Sequence, residues 1–152
     1  MKRLLRVFVI FAVLPVLLLT LFMAAPQISH AASSCVATEV ATGVIVYSWT
    51  AHTDGTFTSS LCTNPRRVDG WVTHVQTDPG GTAPQALYDI TLTDSRSEDI
   101  AAGQLANRSA TATETVEIGG RPVYGPLTLN ISGNNVNGAT GQVIIYYVPW
   151  GN

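Results

Sequence analysis

The feature that most restricts the fold of this chain is a period of two in its apolar residues. From about residue 40 to residue 148, apolar residues alternate with threonine and other polar residues, as in Tyr88, Ile90 and Leu92. Such alternation is typical of strands with one buried face, and glycine, proline and asparagine separate the runs at short intervals. The sequence therefore predicts an all-β fold, an antiparallel β-sandwich of about seven or eight short strands.

The same pattern predicts individual elements. Val40 to Thr50 reads as a first strand, and Thr56 to Leu61 as its partner in a hairpin. The pair Gly119-Gly120 predicts a turn that ends a strand. Residues 127–132 alternate cleanly, and we expect the apolar run 143–148 to be their antiparallel neighbour in the central core.

The first 31 residues have the pattern of a secretory signal peptide. Three cations lie within the first six residues, and an apolar run from Val7 to Ala25 follows. Ser29 and Ala31 then provide the small residues that signal peptidase requires. We therefore expect cleavage after Ala31, a single domain at residues 32–152, and an extracytoplasmic protein, secreted or at the cell surface. An uncleaved membrane anchor is the alternative, because about 19 apolar residues can just span a bilayer.

Beyond the leader the chain is acidic and contains no lysine. Five arginines stand against ten carboxylates, which gives a net charge near −5 with histidine neutral. Such a surface repels the phosphate backbone, and no basic stripe offsets the repulsion. We therefore expect no nucleic-acid partner.

Cys35 and Cys62 are the two cysteines of the chain. Disulfides form and persist in exported proteins, and a pair without a competing thiol bonds most simply to itself. Neither cysteine lies in the CxxC or Cys–His arrangement of a reactive thiolate or a metal site. We expect a Cys35–Cys62 disulfide with its Cα atoms roughly 4.4–6.8 Å apart.

Candidate catalytic and metal-binding residues are present without a recognised spacing. The histidines match no metal motif, and no G-x-S-x-G elbow accompanies the serines. We therefore expect a non-enzymatic protein without a cofactor, and a hydrolase is the alternative. Calcium is the alternative for a metal, because loop carboxylates and amides can bind it. The residues in question are His52, Asp54, Asp69, His74, Asp78, Asp94, Glu98, Asp99, Asn134, Asn135 and Asn137.

The last predicted strand departs from alternation. Val143 to Val148 are apolar in succession, and Pro149-Trp150 follow. One explanation is a central strand covered on both faces within the domain. The other is that one face meets a second copy or another protein, with Tyr146, Tyr147 and Trp150 at the interface.

The three tryptophans raise an alternative function. Trp49, Trp71 and Trp150, together with the tyrosines, could form a platform on which sugars stack, which would make the protein a glycan-binding module. Aromatic residues of a small sandwich are more often part of its core. Simple alternation along residues 70–77 places Trp71 and His74 on opposite faces of their strand.

Four segments occur in an order that carries a family resemblance. They are Tyr88 to Asp94, Asp99 to Arg108, Gly125 to Leu129 and Gly133 to Gly141. In these segments the chain resembles a group of small, uncharacterised β-rich proteins encoded by tailed phages and prophages, some of them virion-associated. The resemblance implies a structural or interaction role and transfers no catalytic residue. The leader departs from that pattern, because virion parts assemble in the cytoplasm, so both a particle and a cell surface stay open.

Overall fold

A computed structural model describes residues 32–151, so the predicted signal segment lies outside the described residues. Within them the chain is all β apart from a short 3-10 helix at Ser59–Leu61. The strands are β1 (Ser34–Ala41), β2 (Val44–Thr50), β3 (Val68–Pro79), β4 (Asp89–Thr93), β5 (Glu114–Gly125), β6 (Thr128–Ser132) and β7 (Thr140–Pro149).

The strands form two antiparallel sheets of unequal size. Five strands make one sheet in the order β1-β2-β7-β3-β5, and β4 and β6 make the other. The prediction of an antiparallel, sandwich-like all-β fold is confirmed. The small sheet, together with the segment that contains the buried Ile100 and Leu105, covers only one side of the large sheet.

Alternation decides which side chains form the core between the sheets. Ile45, Tyr47 and Trp49 of β2 are at most 2% exposed and lie on the same face of their strand. Leu127, Leu129 and Ile131, which the sequence predicts to be inward, are also buried. The hydroxyl of Tyr47 donates a hydrogen bond of 2.8 Å to the carbonyl of Leu127 and so connects the two layers.

The first predicted strand is in fact a hairpin. β1 and β2 pair directly around Gly43, whose φ of 82° lies in the region that favours glycine. Because β1 already occupies the edge beside β2, residues 56–61 do not return as a strand, and that prediction is wrong. They form an irregular segment and the 3-10 helix instead.

The predicted turn at Gly119-Gly120 is also wrong. Both glycines have φ of 73°, but β5 continues through them to Gly125. Its pairing with β3 is irregular between Val72 and His74, opposite this point. Two glycines with positive φ here allow an irregularity inside a long edge strand rather than a reversal of the chain.

The predicted pairing of 127–132 with 143–148 is wrong for a topological reason. β6 pairs with β4, whereas β7 lies between β2 and β3 in the other sheet. The connection crosses between the layers and is held by Asn134, which is 8% exposed. Its side-chain amide donates to the carbonyl of Gly55 at 2.8 Å and its oxygen accepts from the N–H of Gln85 at 2.9 Å.

The Cys35–Cys62 disulfide is present, with a Cα–Cα distance of 5.0 Å. Cys35 lies on edge strand β1, and Cys62 follows the 3-10 helix rather than a second strand. In the chain-entropy model a loop of this length contributes roughly 3–4 kcal/mol to stability. The bond therefore holds the first strand of the large sheet to the segment that leads into β3.

Candidate interaction surface

The two faces of the central strand β7 have different surroundings. Val143 and Ile145 are 0% exposed and belong to the core. Ile144 and Tyr146 lie on the other face, are half-buried, and are not part of the core packing among the described residues. The apolar run is therefore covered on one side by the domain itself, whereas its other side borders the outside of the sheet.

The structure separates the three residues predicted for an interface. Tyr147 lies on the core side, where its hydroxyl donates to Glu39 Oε1 at 3.2 Å. Burial, with the negative charge of Glu39 second, raises the pKa of Tyr147. Tyr146 and Trp150 lie on the opposite side from that core contact, and Trp150 is 37% exposed.

We call the side of the five-stranded sheet that faces away from β4 and β6 the outer face. Strand register shows which residues share it, because cross-strand partners such as Val46 and Ile144 lie on the same face. On β1, β2 and β7 the residues of this face are all uncharged. They are Ser34, Val36, Thr38, Val44, Val46, Ser48, Thr50, Thr140, Gln142, Ile144, Tyr146 and Val148.

A bulge in β3 adds two aromatic residues to the outer face. Its register shifts between Val72 and His74, so Trp71 and His74 both lie outward although they are three residues apart. The prediction from simple alternation, which separates them, is therefore wrong. The His74 ring stacks on the Tyr146 ring with centroids 4.1 Å apart and planes inclined by 16°.

Aromatic rings converge where β7 ends. Trp150 makes edge contacts with Tyr124, at 4.5 Å between centroids, and with Trp71, at 6.2 Å. The guanidinium of Arg96 lies 4.2 Å from the centroid of the Tyr124 ring, within the range of a cation–π contact. The backbone N–H of Trp150 donates a hydrogen bond of 3.0 Å to the backbone carbonyl of Asp69, which fixes the end of β7 to the start of β3.

The opposite end of the outer face is polar. A depression of about 520 Å³ lies there, and hydroxyl, amide and carboxylate side chains share its lining with Val36, Trp49 and Pro79. Within it, Gln142 Nε2 donates to Ser48 Oγ at 3.3 Å. Along β7 the outer face thus changes from Thr140 and Gln142 through Ile144 to Tyr146 and Val148.

The histidines and the aspartates near them are not brought into one site. His52 contacts Thr58 at 3.2 Å in an exposed turn, whereas His74 stacks on Tyr146 in the sheet. Asp54 accepts hydrogen bonds from the hydroxyl and the N–H of Thr56, and these hold its pKa below the usual value. Residues 32–151 contain no group of three or more histidine, cysteine, aspartate or glutamate side chains placed to hold a metal ion.

The densest carboxylate cluster accepts hydrogen bonds from its own loop. Asp94 accepts from the backbone and side chain of Arg96 and from the N–H groups of Glu98 and Tyr124. Burial by itself raises the pKa of Asp94, but these hydrogen bonds together outweigh it and lower the pKa. Asp99 in turn accepts hydrogen bonds from the backbone N–H groups of Leu92, Ala101 and Gly103. The cluster shapes the loop after β4.

Sequence reasoning missed part of the outer face. It identified the apolar run of β7, but not that Val44 and Val46 of β2 extend the same surface or that Trp71 and His74 join it. The alternation in β2 contains the signal for the valines, since they oppose the buried Ile45 and Tyr47. No local signal marks the bulge in β3.

These features describe a class of protein: a small antiparallel β-sandwich with a disulfide and one uncovered sheet face, uncharged on β1, β2 and β7. Among the described residues, no helix combines the length and the apolar character needed to cross a membrane. No family model matches the chain, and neither a curated protein nor a solved structure matches it.

Proposed function

We propose that the protein is exported and acts as a non-enzymatic structural or interaction protein that binds a protein partner through the outer face. The leader pattern supports export, and the Cys35–Cys62 disulfide is consistent with a place outside the cytoplasm. The resemblance to phage and prophage proteins supports association with a virion or a cell surface.

The observation that carries this proposal is the outer face itself. Soluble monomers rarely expose large contiguous apolar patches, and such patches are typical of interaction sites. Here Val36 is 63% exposed, Val148 54% and Trp71 45%, with the half-buried Val46 and Ile144 between them. An interface needs a centre free of charge, because a charge without a partner is costly to bury.

The test compares one charge placed on either side of the sandwich. Ile144→Asp puts a carboxylate in the middle of the outer face, and Asn130→Asp puts one at an equally half-buried position of β6. We expect wild type and Asn130→Asp to sediment with the envelope or particle fraction of producing cells, and Ile144→Asp to stay free. Circular dichroism checks that both variants fold. A folded Ile144→Asp protein that still sediments with the wild type would contradict the proposal.

A glycan-binding module is the second candidate, favoured by the aromatic cluster at the end of β7. Tyr124, which contacts Trp150, is the cross-strand partner of Asp69, whose carboxylate is ion-paired with Arg67. Sugar sites combine aromatic rings with a few such placed polar groups. Fluorescence titration of the tryptophans with envelope polysaccharides, for wild type and Trp71→Ala, tests it. Saturable quenching that Trp71→Ala abolishes would favour this candidate, and unchanged emission at millimolar sugar would exclude it.

A further inference from the structure

The outer face has a charge distribution that suits a second copy of the same chain. Its uncharged positions cover β1, β2 and β7, whereas its carboxylates belong to β3 and β5 on one flank. Asp69 is ion-paired with Arg67, so the negative charge of this flank comes from Asp78 and Glu117. Two flanks of the same negative charge repel when they face each other. A negatively charged flank that faces uncharged strands is not repelled in this way.

The position of β7 provides the symmetry that such pairing requires. It is the third of five strands, and Ile144 lies midway between Thr140 and Pro149. A two-fold axis that runs along β7, in the plane between two stacked sheets, places each central strand over its copy. The same operation lays β1 and β2 of one copy over β3 and β5 of the other, so the carboxylates face strands with hydroxyl groups, such as Ser48 and Thr50, that can donate hydrogen bonds to them.

The face is also large enough. Strands about 4.8 Å apart make a five-stranded sheet about 24 Å wide, and seven residues of strand span about 23 Å, which gives about 550 Å². Two such faces bury about 1,100 Å², just above the roughly 1,000 Å² expected of a specific interface. Interfaces at this low end of the size range belong to weak or transient complexes.

The middle of the face has the chemistry of protein packing rather than of polar recognition. Val46 and Ile144 are direct cross-strand partners at its centre, with Val44 and Tyr146 as the next pair. They present methyl groups and ring edges, since the Tyr146 ring already stacks on His74. Gln76, the half-buried β3 partner of Ile144, adds one amide beside these groups, and no carboxylate lies among them.

We infer that the outer face is a homodimer interface in which two five-stranded sheets stack face to face across a two-fold axis at Ile144. This inference rests on the proposed function and names the partner of the same surface as a second copy. The stacked sheets give a symmetric particle whose disulfide-bonded β1 edges lie at the rim.

The experiment uses the exported protein as recovered from producing cells. Because both native cysteines are bonded to each other, Ile144→Cys introduces the one reactive thiol of the described chain, at the proposed axis. Stacked sheets lie about 10 Å apart, beyond the reach of a direct disulfide. A short bis-maleimide is therefore expected to link this variant into a covalent dimer, whereas Asn130→Cys on the other layer stays monomeric. In sedimentation, Ile144→Asp is expected to weaken dimerisation by about 100-fold or more, because two carboxylates then face each other.

Each further outcome counts against the dimer. A protein that is strictly monomeric at about 100 μM, a concentration high enough to reveal a weak complex of this size class, would overturn it. So would a dimer that Ile144→Asp leaves intact, or equal cross-linking of the two cysteine variants. If the protein is monomeric but Ile144→Asp still releases it from the envelope or particle fraction, the partner is another protein and only the dimer fails. If neither association depends on Ile144, the proposed function fails with it.

Discussion

Along residues 143–148 of β7, the two faces of the five-stranded sheet are built from the same kinds of residue and have different surroundings. Ile145 and Val143 on the inner face are fully buried against β4, β6 and the loop that contains Leu105. Ile144 and Val46, one residue away from inner positions, are only half-buried by their neighbours in the sheet. The difference comes from the two-layer architecture, in which the second sheet packs against one side of the first only.

This contrast separates stability from binding along a single strand. Burial of apolar surface stabilises the fold only where the folded chain removes that surface from water, which happens on the inner face. On the outer face the same side chains still have surface to bury, so they can stabilise a complex. Substitutions at adjacent residues of β7 should therefore have different consequences.

The largest effect is expected from truncating neighbouring isoleucines of β7. Ile145→Ala should lower the free energy of unfolding by about 2–5 kcal/mol, because it leaves a cavity in a closely packed core. Ile144→Ala should change monomer stability by less than about 1 kcal/mol while weakening association, because its side chain packs outside the core. Urea unfolding at low protein concentration measures the first quantity, and sedimentation the second. Equal losses of stability would mean that the outer face is also covered within the monomer.

A smaller effect is expected from the buried carboxylate on the covered side. The side chain of Asp94 is 0% exposed and its folded-state pKa lies below the ordinary value of 3.8. A lowered folded-state pKa means that the charged form stabilises the fold above the unfolded-state pKa. That contribution is lost as pH falls through the folded-state pKa. Asp94→Asn should therefore lower the free energy of unfolding by about 1–3 kcal/mol near neutral pH.

The pH series has a built-in control on the outer face. The side chain of Asp69 is 32% exposed, so Asp69→Asn should have a much smaller effect at neutral pH. Unfolding curves from about pH 6 to about pH 2 should show the gap between wild type and Asp94→Asn closing as the pH falls, because protonation removes the contribution of the wild-type carboxylate. A gap that stays constant across this range would show that the charge of Asp94 is not what matters.

The smallest effect distinguishes two buried tyrosines. Tyr47 donates to the Leu127 carbonyl, whereas the hydroxyl of Tyr88 has no hydrogen-bond partner among the described residues. Burial, with the charge of Glu114 second, raises the pKa of Tyr88 to about 12. Tyr47→Phe should cost about 0.5–1.5 kcal/mol, and Tyr88→Phe should be neutral or stabilising, because a buried hydroxyl without a partner is itself destabilising. Thermal melts of both variants measure these changes in stability. A larger loss of stability in Tyr88→Phe than in Tyr47→Phe would contradict the prediction.

Much of the fold could be predicted from local pattern. Alternation identified most strands and the inward residues of β4 and β6, and the composition of the chain made a disulfide between its two cysteines the simplest expectation. The same reasoning failed at Gly119-Gly120 and at Thr56 to Leu61, where turn residues serve an irregular strand and a 3-10 segment. Local signals identify residues that permit a reversal, but they do not show whether the chain uses it.

The sequence by itself determined the class of fold, the core-facing residues of most strands and the apolar run of β7, because these follow from the period of side chains along a strand. Only the tertiary structure decided that β6 and β7 belong to different sheets, and that a bulge places Trp71 and His74 together. It also decided that Tyr147 lies inward and Tyr146 outward. The physical reason is that strand pairing and layer coverage depend on contacts between distant segments. Those contacts cannot be recognised from the local sequence pattern.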